Sequence, residues 1–323
     1  MNKTRLKVGT DFSGIGAPEM ALNNLGIDYE QVFSCEIDKY ARQSYLAMHQ
    51  APGKFYNDIT QRDHKEVEQL DLYVAGFPCQ AFSIAGQRKG FDDVRGTLFF
   101  NVAEFIRIDQ PKMFILENVK GLLSHDNGRT YQTITDILTN GGGTLNSQMS
   151  LDVFDDGLGY HCYAQVLNTK HYGIPQNRER IFIVGFKGFR DFSFQKKEPL
   201  KLRLKDMLQD NPSDKYLLSK KKISTLIKSD RAIGFSNIES KKIANCIIAL
   251  YHKIPTDGEY LQVNCNESER IRRLTPLECW RLQAFPDAAF FKAQEVCSDT
   301  QLYKQAGNSI SVNVLERILN KMI

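Results

Sequence analysis

The 323-residue chain has little that would tie it to a metal, a disulfide scaffold or a membrane. Its seven cysteines, Cys35, Cys79, Cys162, Cys246, Cys265, Cys279 and Cys297, are odd in number, and no two form a Cys-x-x-Cys pair. That argues against a zinc site or a disulfide framework and fits reduced thiols in a cytoplasmic compartment, so no metal is expected. No apolar run approaches the roughly 20 residues that a bilayer-spanning helix needs. The opening "MNKTRLKVGTDF" passes straight into a strand pattern without a cleavage signal. The expectation is a soluble intracellular protein with no membrane partner. No internal repeat is visible.

What is present is ordinary in bulk and uneven in detail. Apolar content of 42% and charged content of 25% are those of a globular domain, and the net charge is +4. Between Lys187 and Arg273, however, 19 Lys/Arg face 11 Asp/Glu, a balance of +8, which leaves −4 for the rest. A contiguous basic segment of this kind suits a nucleic-acid partner or a solvated basic face.

Up to about residue 186, short runs rich in Val, Ile, Phe and Tyr alternate with helical patterns. "RLKVGTDF", "YEQVFSCE", "LDLYVAGF", "PKMFILENV", "HCYAQVLNT" and "RIFIVGF" read as strands. "APEMALNNL", "DKYARQSYLAMH", "GTLFFNVAEFIRI" and "YQTITDILTN" read as helices between them. The alternation predicts an α/β fold with a mostly parallel sheet. "NGGGTLNSQMSLDVFDDG" interrupts it as a loop or insertion without evident chemistry. Beyond it the expected organisation is a cofactor-binding and catalytic domain over 1–188, a smaller irregular domain over 189–271, and a linking hinge over 272–302. A C-terminal helix over 303–323 would return to complete the first domain. Thr275-Pro276-Leu277-Glu278 reads as a capping box with proline in the first turn.

Chemistry gathers at the strand ends. "DFSGIGAPEMAL" follows the first strand, and Gly14 and Gly16 allow a tight turn and a close backbone approach to a ligand. Glu36 ends the second strand, where an acid can bind a ribose, and Asp58 follows "KFYN", a short third candidate strand, where an acid can accept from an adenine amine. In "GFPCQAFSIAGQRKGF", Pro78 stiffens the exit of a buried strand immediately before Cys79. A thiol there sits at the carboxyl edge of the sheet, where open α/β folds bind ligands, and thiolates serve as nucleophiles. Glu117 in "ENV" ends the neighbouring strand, and "QNRER" offers Arg178 and Arg180 as planar donors to a carbonyl or phosphate.

Taken in order, these stretches resemble the DNA (cytosine-5) methyltransferases. "FSGIG", "PCQAFS", "RGTLFF", "ENV", "QNRER", "RRLTPLECWRLQAFP" and "QAGNSISVNVL", with Glu36 and Asp58-Ile59, follow the family's motif order. They bracket all but the basic segment and the 126–157 stretch. The resemblance implies a Rossmann-like methyltransferase domain that uses S-adenosyl-L-methionine, yields S-adenosyl-L-homocysteine and needs no metal. It implies cofactor contacts from Phe12, Gly14, Gly16, Glu36, Ile37, Asp58, Ile59, Pro78, Leu98 and Asn308. Family members often carry an aromatic residue after the ribose acid, and this chain has Ile37.

It further implies that Cys79 adds to carbon 6 of a cytosine flipped out of the duplex. Glu117 would then protonate ring nitrogen 3, and Arg180, with Arg178 nearby, would hold the ring carbonyl. The loop from Ala81 to Arg95 resembles the family's mobile catalytic loop, with Gln87, Arg88, Lys89 and Arg95 meeting DNA. The basic segment resembles a target-recognition domain. The implied setting is a monomeric, cytoplasmic, DNA-associated modification enzyme paired with a restriction endonuclease. Two alternatives stand beside it: a transfer-RNA cytosine methyltransferase, which shares the motif set, and a catalytically silent DNA-binding relative, which should have lost Cys79 or Glu117, both present here. A nicotinamide oxidoreductase would explain the glycine turn but not Pro78-Cys79, Glu117 or the basic segment.

Overall fold

The computed structural model of the chain describes residues 5–49, 53–63, 67–78, 98–139, 156–228, 235–265 and 268–323. Seven strands form the main sheet: β1 (Leu6–Asp11), β2 (Tyr29–Cys35), β3 (Lys54–Tyr56), β4 (Leu72–Ala75), β5 (Met113–Val119), β6 (His161–Asn168) and β7 (Glu179–Phe186). Their order is β3-β2-β1-β4-β5-β7-β6. The first five are parallel, and β7 runs antiparallel between β5 and β6. The α/β fold with a mostly parallel sheet is therefore as the alternation predicts.

Strand β4 is buried along its whole length and β5 along most of it, which explains their near-continuous apolar runs. Neighbouring residues serve opposite faces of the sheet. Leu72, Val74 and Ile115 join one apolar cluster, whereas Tyr73, Phe114 and Leu116 join the other. Helices α1 (Ala17–Asn24), α2 (Lys39–Met48), α3 (Leu98–Asp109) and α4 (Arg129–Leu138) cover the two faces. Asp38 caps α2 by accepting from the Tyr40 and Ala41 N–H groups. Helix α1 enters through Gly16 at φ 78°, and a side chain there would lie 2.2 Å from the His49 ring.

A second sheet of three strands is formed by β8 (Ser236–Asn237), β9 (Tyr260–Cys265) and β10 (Ser268–Arg273), in the order β10-β9-β8. Helix α5 (Lys220–Ile227) accompanies it, and α6 (Pro276–Arg281), α7 (Asp287–Val296), α8 (Asp299–Asn308) and α9 (Val312–Met322) follow. The capping box is present: Thr275 Oγ1 accepts from the Glu278 N–H while Glu278 accepts from the Thr275 N–H.

Two stretches differ from the sequence-based expectation. Residues 272–302 form a packed helical block instead of a hinge. Leu277, Trp280, Phe285 and Phe290 are buried in the same cluster as Val8 and Val74, and the Trp280 indole donates to the Leu302 carbonyl. The helix expected over 303–323 is two helices, broken at Ser309–Ser311. Helix α8 stops where Gly307 meets the backbone of Ile248 and Ala249, and α9 then lays Val312, Leu315, Ile318, Leu319 and Met322 into the core beside α1. Most of the glycine-rich insertion, residues 140–155, lies outside the described residues. Among the described residues, no helix is long and apolar enough to cross a membrane.

Candidate functional site

Strand order reverses between β1 and β4, and a crevice opens at the carboxyl ends of such a pair. The cleft there is lined by Phe12, Gly14, Gly76, Glu117, Asn308 and Ile310. It unites the first strand–helix turn, the exits of β4 and β5, and the break between α8 and α9. A larger cavity, lined by Lys205, Gln209, Asp210, Asn211, Asp214 and Arg272, adjoins the small sheet and shares no residue with the cleft.

On one side of the cleft, Phe12 and Gly14 both adopt left-handed backbone, turning the chain sharply into α1. Glu36 Oε2 accepts from the Gly14 N–H at 2.9 Å and Oε1 from the Asp38 N–H at 2.8 Å. Burial pushes the Glu36 carboxyl above its ordinary range, and these two N–H donors pull it partly back. Beside it Ile37 is 73% exposed, an apolar side chain with free surface at a strand exit. Asp58 Oδ1 accepts from the Thr60 N–H and hydroxyl, holding the short turn that follows β3. Ile59 is buried in the core with Phe33 and Phe99. Leu98 opens α3 and packs against that core, and Asn308 closes α8 at the cleft.

On the other side, the antiparallel register sets Arg180 opposite Val119 and Phe182 opposite Glu117. Glu117 and Arg180 thus share one face as diagonal neighbours. Arg180 Nε lies 3.1 Å from Glu117 Oε1, with both side chains largely buried. Burial raises the Glu117 carboxyl above its usual range, while Arg180 and then Arg178 oppose the shift. The arrangement gives a carboxyl that keeps its proton to higher pH than an ordinary glutamate, next to a permanently charged planar donor. Asn118, between Glu117 and Val119, donates its side-chain amide to the Phe77 carbonyl at 2.9 Å. That bond fixes the β4 exit immediately before Pro78, which is exposed. Cys79, Gln87, Arg88, Lys89 and Arg95 lie outside the described residues.

Arg178 lies close enough to Glu117 and Arg180 to act on both by charge, as expected, but it has other hydrogen-bond partners. Its guanidinium is buried and donates to the carbonyls of Ile247, Gly307 and Ser309 at 2.8–3.1 Å, with the Cys246 sulfur at 3.4 Å. Its two terminal nitrogens are engaged in this way, while its Nε is buried without a hydrogen-bond partner among the described residues. Arg178 thus joins the segment before β9 to the α8–α9 break that walls the cleft. Gln176 reinforces the junction, donating to the Leu282 carbonyl and accepting from the Ile247 N–H.

Three further groups carry no local sequence signal. Asp11, the last residue of β1, receives Arg62 through both carboxylate oxygens and Tyr73 through its hydroxyl. These partners lie 51 and 62 positions away, so only the sheet brings them together.

The chain is similar to known proteins along nearly its whole length. Residues 8–323 match the family model described as C-5 cytosine-specific DNA methylase. The type II methyltransferase M.HpaII of Haemophilus parainfluenzae is 40% identical over 97% of this chain and 87% of its own length. The type II methyltransferase M.NlaX of Neisseria lactamica is 38% identical over 96% of this chain and 94% of its own. Among solved structures, the S. pombe Dnmt2 methyltransferase superposes with a TM-score of 0.74 over 98% of this chain and 97% of that one. At 20% identity it speaks for the fold alone. The chain belongs to the C-5 cytosine-specific DNA methylases, and it is an enzyme of that family.

Proposed function

We propose that the chain is the modification enzyme of a restriction–modification system, methylating carbon 5 of a cytosine within a short duplex DNA sequence. The observation that carries this reading is the buried Glu117–Arg180 pair at the same cleft as the glycine turn, which Glu36 holds through the Gly14 N–H. The relatives named as type II methyltransferases support it, because they match nearly the whole chain.

The residues present fit an adenosine-containing cofactor by their chemistry. A pinned carboxylate at Glu36 suits a vicinal diol, Asp58 suits an exocyclic amine, and the exposed Ile37 side chain offers an apolar surface to a ring. Phe12, Gly14, Gly16, Ile59, Pro78, Leu98 and Asn308 complete the proposed contacts. S-adenosylmethionine, when bound, supplies an electrophilic methyl group on a sulfonium.

The protein's part is to make an aromatic carbon nucleophilic. Cys79 adds as thiolate to carbon 6 of the extruded cytosine, Glu117 donates its proton to nitrogen 3, and Arg180 holds the ring carbonyl. Carbon 5 thereby gains enamine character. After methylation, a base takes the carbon 5 proton, and the freed electron pair re-forms the 5,6 double bond as the Cys79 thiolate leaves carbon 6. Nitrogen 3 returns its proton to the Glu117 carboxylate. Extrusion is required because ring faces are inaccessible within the stack, and it costs a few kcal/mol. Arg178 acts as a wall of the site rather than as a contact to the base.

Residues 189–271, with the small sheet and α5, are proposed to read the target, supported by their basic balance. Gln87, Arg88, Lys89 and Arg95 are proposed DNA contacts. The enzyme is taken to act as a cytoplasmic monomer alongside a cognate endonuclease. Bisulfite sequencing of DNA from cells expressing the chain should reveal one short methylated motif; a host genome without newly protected cytosines would overturn the reading. Parallel methyl-transfer assays on duplex DNA and on total transfer RNA separate this function from the RNA alternative.

A further inference from the structure

We propose that the buried Asp11–Arg62 pair is a positioning device for the cofactor, clamping the glycine turn to the turn that carries Asp58. The proposal rests on the reading of the cleft as a cofactor site. Asp11 immediately precedes Phe12, where the backbone turns left-handed at φ 54°, and Arg62 immediately follows the turn Ile59–Gln61. Asp11 Oδ1 accepts from Arg62 Nη1 at 2.5 Å and Oδ2 from Nη2 at 2.8 Å, a two-pronged contact that sets angle as well as distance. Tyr73 donates to the same Oδ2 at 2.6 Å.

Both charged side chains are 0% exposed. The Arg62 guanidinium packs against two rings that meet edge to face, lying 4.4 Å from the centroids of Phe33 and Phe105. Cation–π contacts thus add to the bonds along its edge.

Stability gives no reason for such a pair, since well-packed apolar residues generally serve a core as well as or better than buried ions. The Arg62 Nε, moreover, has no hydrogen-bond partner among the described residues. What the pair does supply is a rigid tie between two turns on different strands. The hydrogen bonds that Asp58 accepts stay within its own turn, so they do not register it against the glycine turn. With the clamp in place, the diol-binding and amine-binding ends of the pocket keep a constant separation.

The test compares the full-length wild type with Arg62→Lys and with the triple variant Asp11→Leu, Arg62→Met, Tyr73→Phe. Calorimetric titration of S-adenosylhomocysteine, thermal melting and steady-state kinetics are read for each. The triple variant removes all charge at once, so it should melt near the wild type yet bind about tenfold more weakly. Its KM for S-adenosylmethionine should rise in step, with kcat at saturation within about twofold. Arg62→Lys keeps the charge without the fork and should also weaken binding, by about threefold or more, while duplex DNA affinity stays unchanged. Wild-type affinity in a folded triple variant, or in Arg62→Lys should the triple variant fail to fold, would overturn the proposal. Absence of binding by the wild type itself would overturn the reading of the cleft, and the proposal with it.

Discussion

Glu117 and Arg180 meet because β7 runs antiparallel to β5 in a register that sets Arg180 across from Val119. The guanidinium then reaches diagonally to the carboxylate at 3.1 Å on a largely buried face. A parallel neighbour would present its other end at this edge. The inserted antiparallel strand is thus what brings the charged start of "ERIFIVGF" to the candidate site.

Because burial raises the Glu117 carboxyl, its acid form persists to higher pH than in an ordinary glutamate. A step that needs this acid slows as pH rises through the raised value. Glu117→Gln should lower single-turnover methyl transfer by about 10² to 10⁴ and remove that basic-side dependence. An unchanged pH–rate profile in the variant would sink the assignment.

Cys79→Ser should nearly abolish methyl transfer while leaving S-adenosylhomocysteine affinity close to wild type. A duplex with 5-fluorocytosine at the target position should form a stable adduct with the wild type, visible on a denaturing gel, because fluorine cannot leave as a proton does. The serine variant should form none.

Removing the Arg178 guanidinium by Arg178→Met leaves three carbonyls and a closed junction without their donor. The expected loss is about 3 kcal/mol or more, read by chemical denaturation. Retained stability with a selective loss of base binding would instead return Arg178 to the substrate.

Gly307→Ala would place a β-carbon 2.2 Å from backbone atoms of Ile248 and Ala249, which cannot turn aside as a side-chain end can. Destabilisation of about 3 kcal/mol is expected, measured as a fall in melting temperature. A neutral substitution would mean that the segment before β9 moves freely against α8.

The Asp109 carboxyl is pushed from 3.8 up to about 6, chiefly by burial, with the Leu70 N–H, Arg62 and Lys187 opposing. The folded protein then binds this proton more tightly than the unfolded chain, so stability falls as pH climbs from about 4 to about 6. Asp109→Asn mimics the neutral form and should gain on the wild type across that interval. Allowing for solvent screening of a half-exposed group, the gain is about 1 kcal/mol. Melting curves at both ends of the interval check it, and a constant difference would remove Asp109 from the pH response.

Local order was legible in the sequence where chemistry repeats at short range. Alternating apolar runs marked the strands of the main sheet, Thr275 to Glu278 marked a helix start, and glycines after β1 marked a turn. The motif order pointed to the family, and with it to Glu36, Glu117 and Arg180. Ends of neighbouring parallel strands share an edge, which groups Glu36 with Glu117, whereas Arg180 joins them only because β7 runs antiparallel. What no spacing could show was decided by tertiary packing. Asp11 and Arg62 pair only through the folded sheet, Arg178 spends its donors on carbonyls from two distant segments, and 272–302 folds into the core because Trp280 and its apolar neighbours need burial. A sequence states which groups are available and what its short-range pattern can form. Which buried charge meets which partner is settled by long-range geometry, where desolvation leaves each charged group to find a partner or forfeit its place in the core.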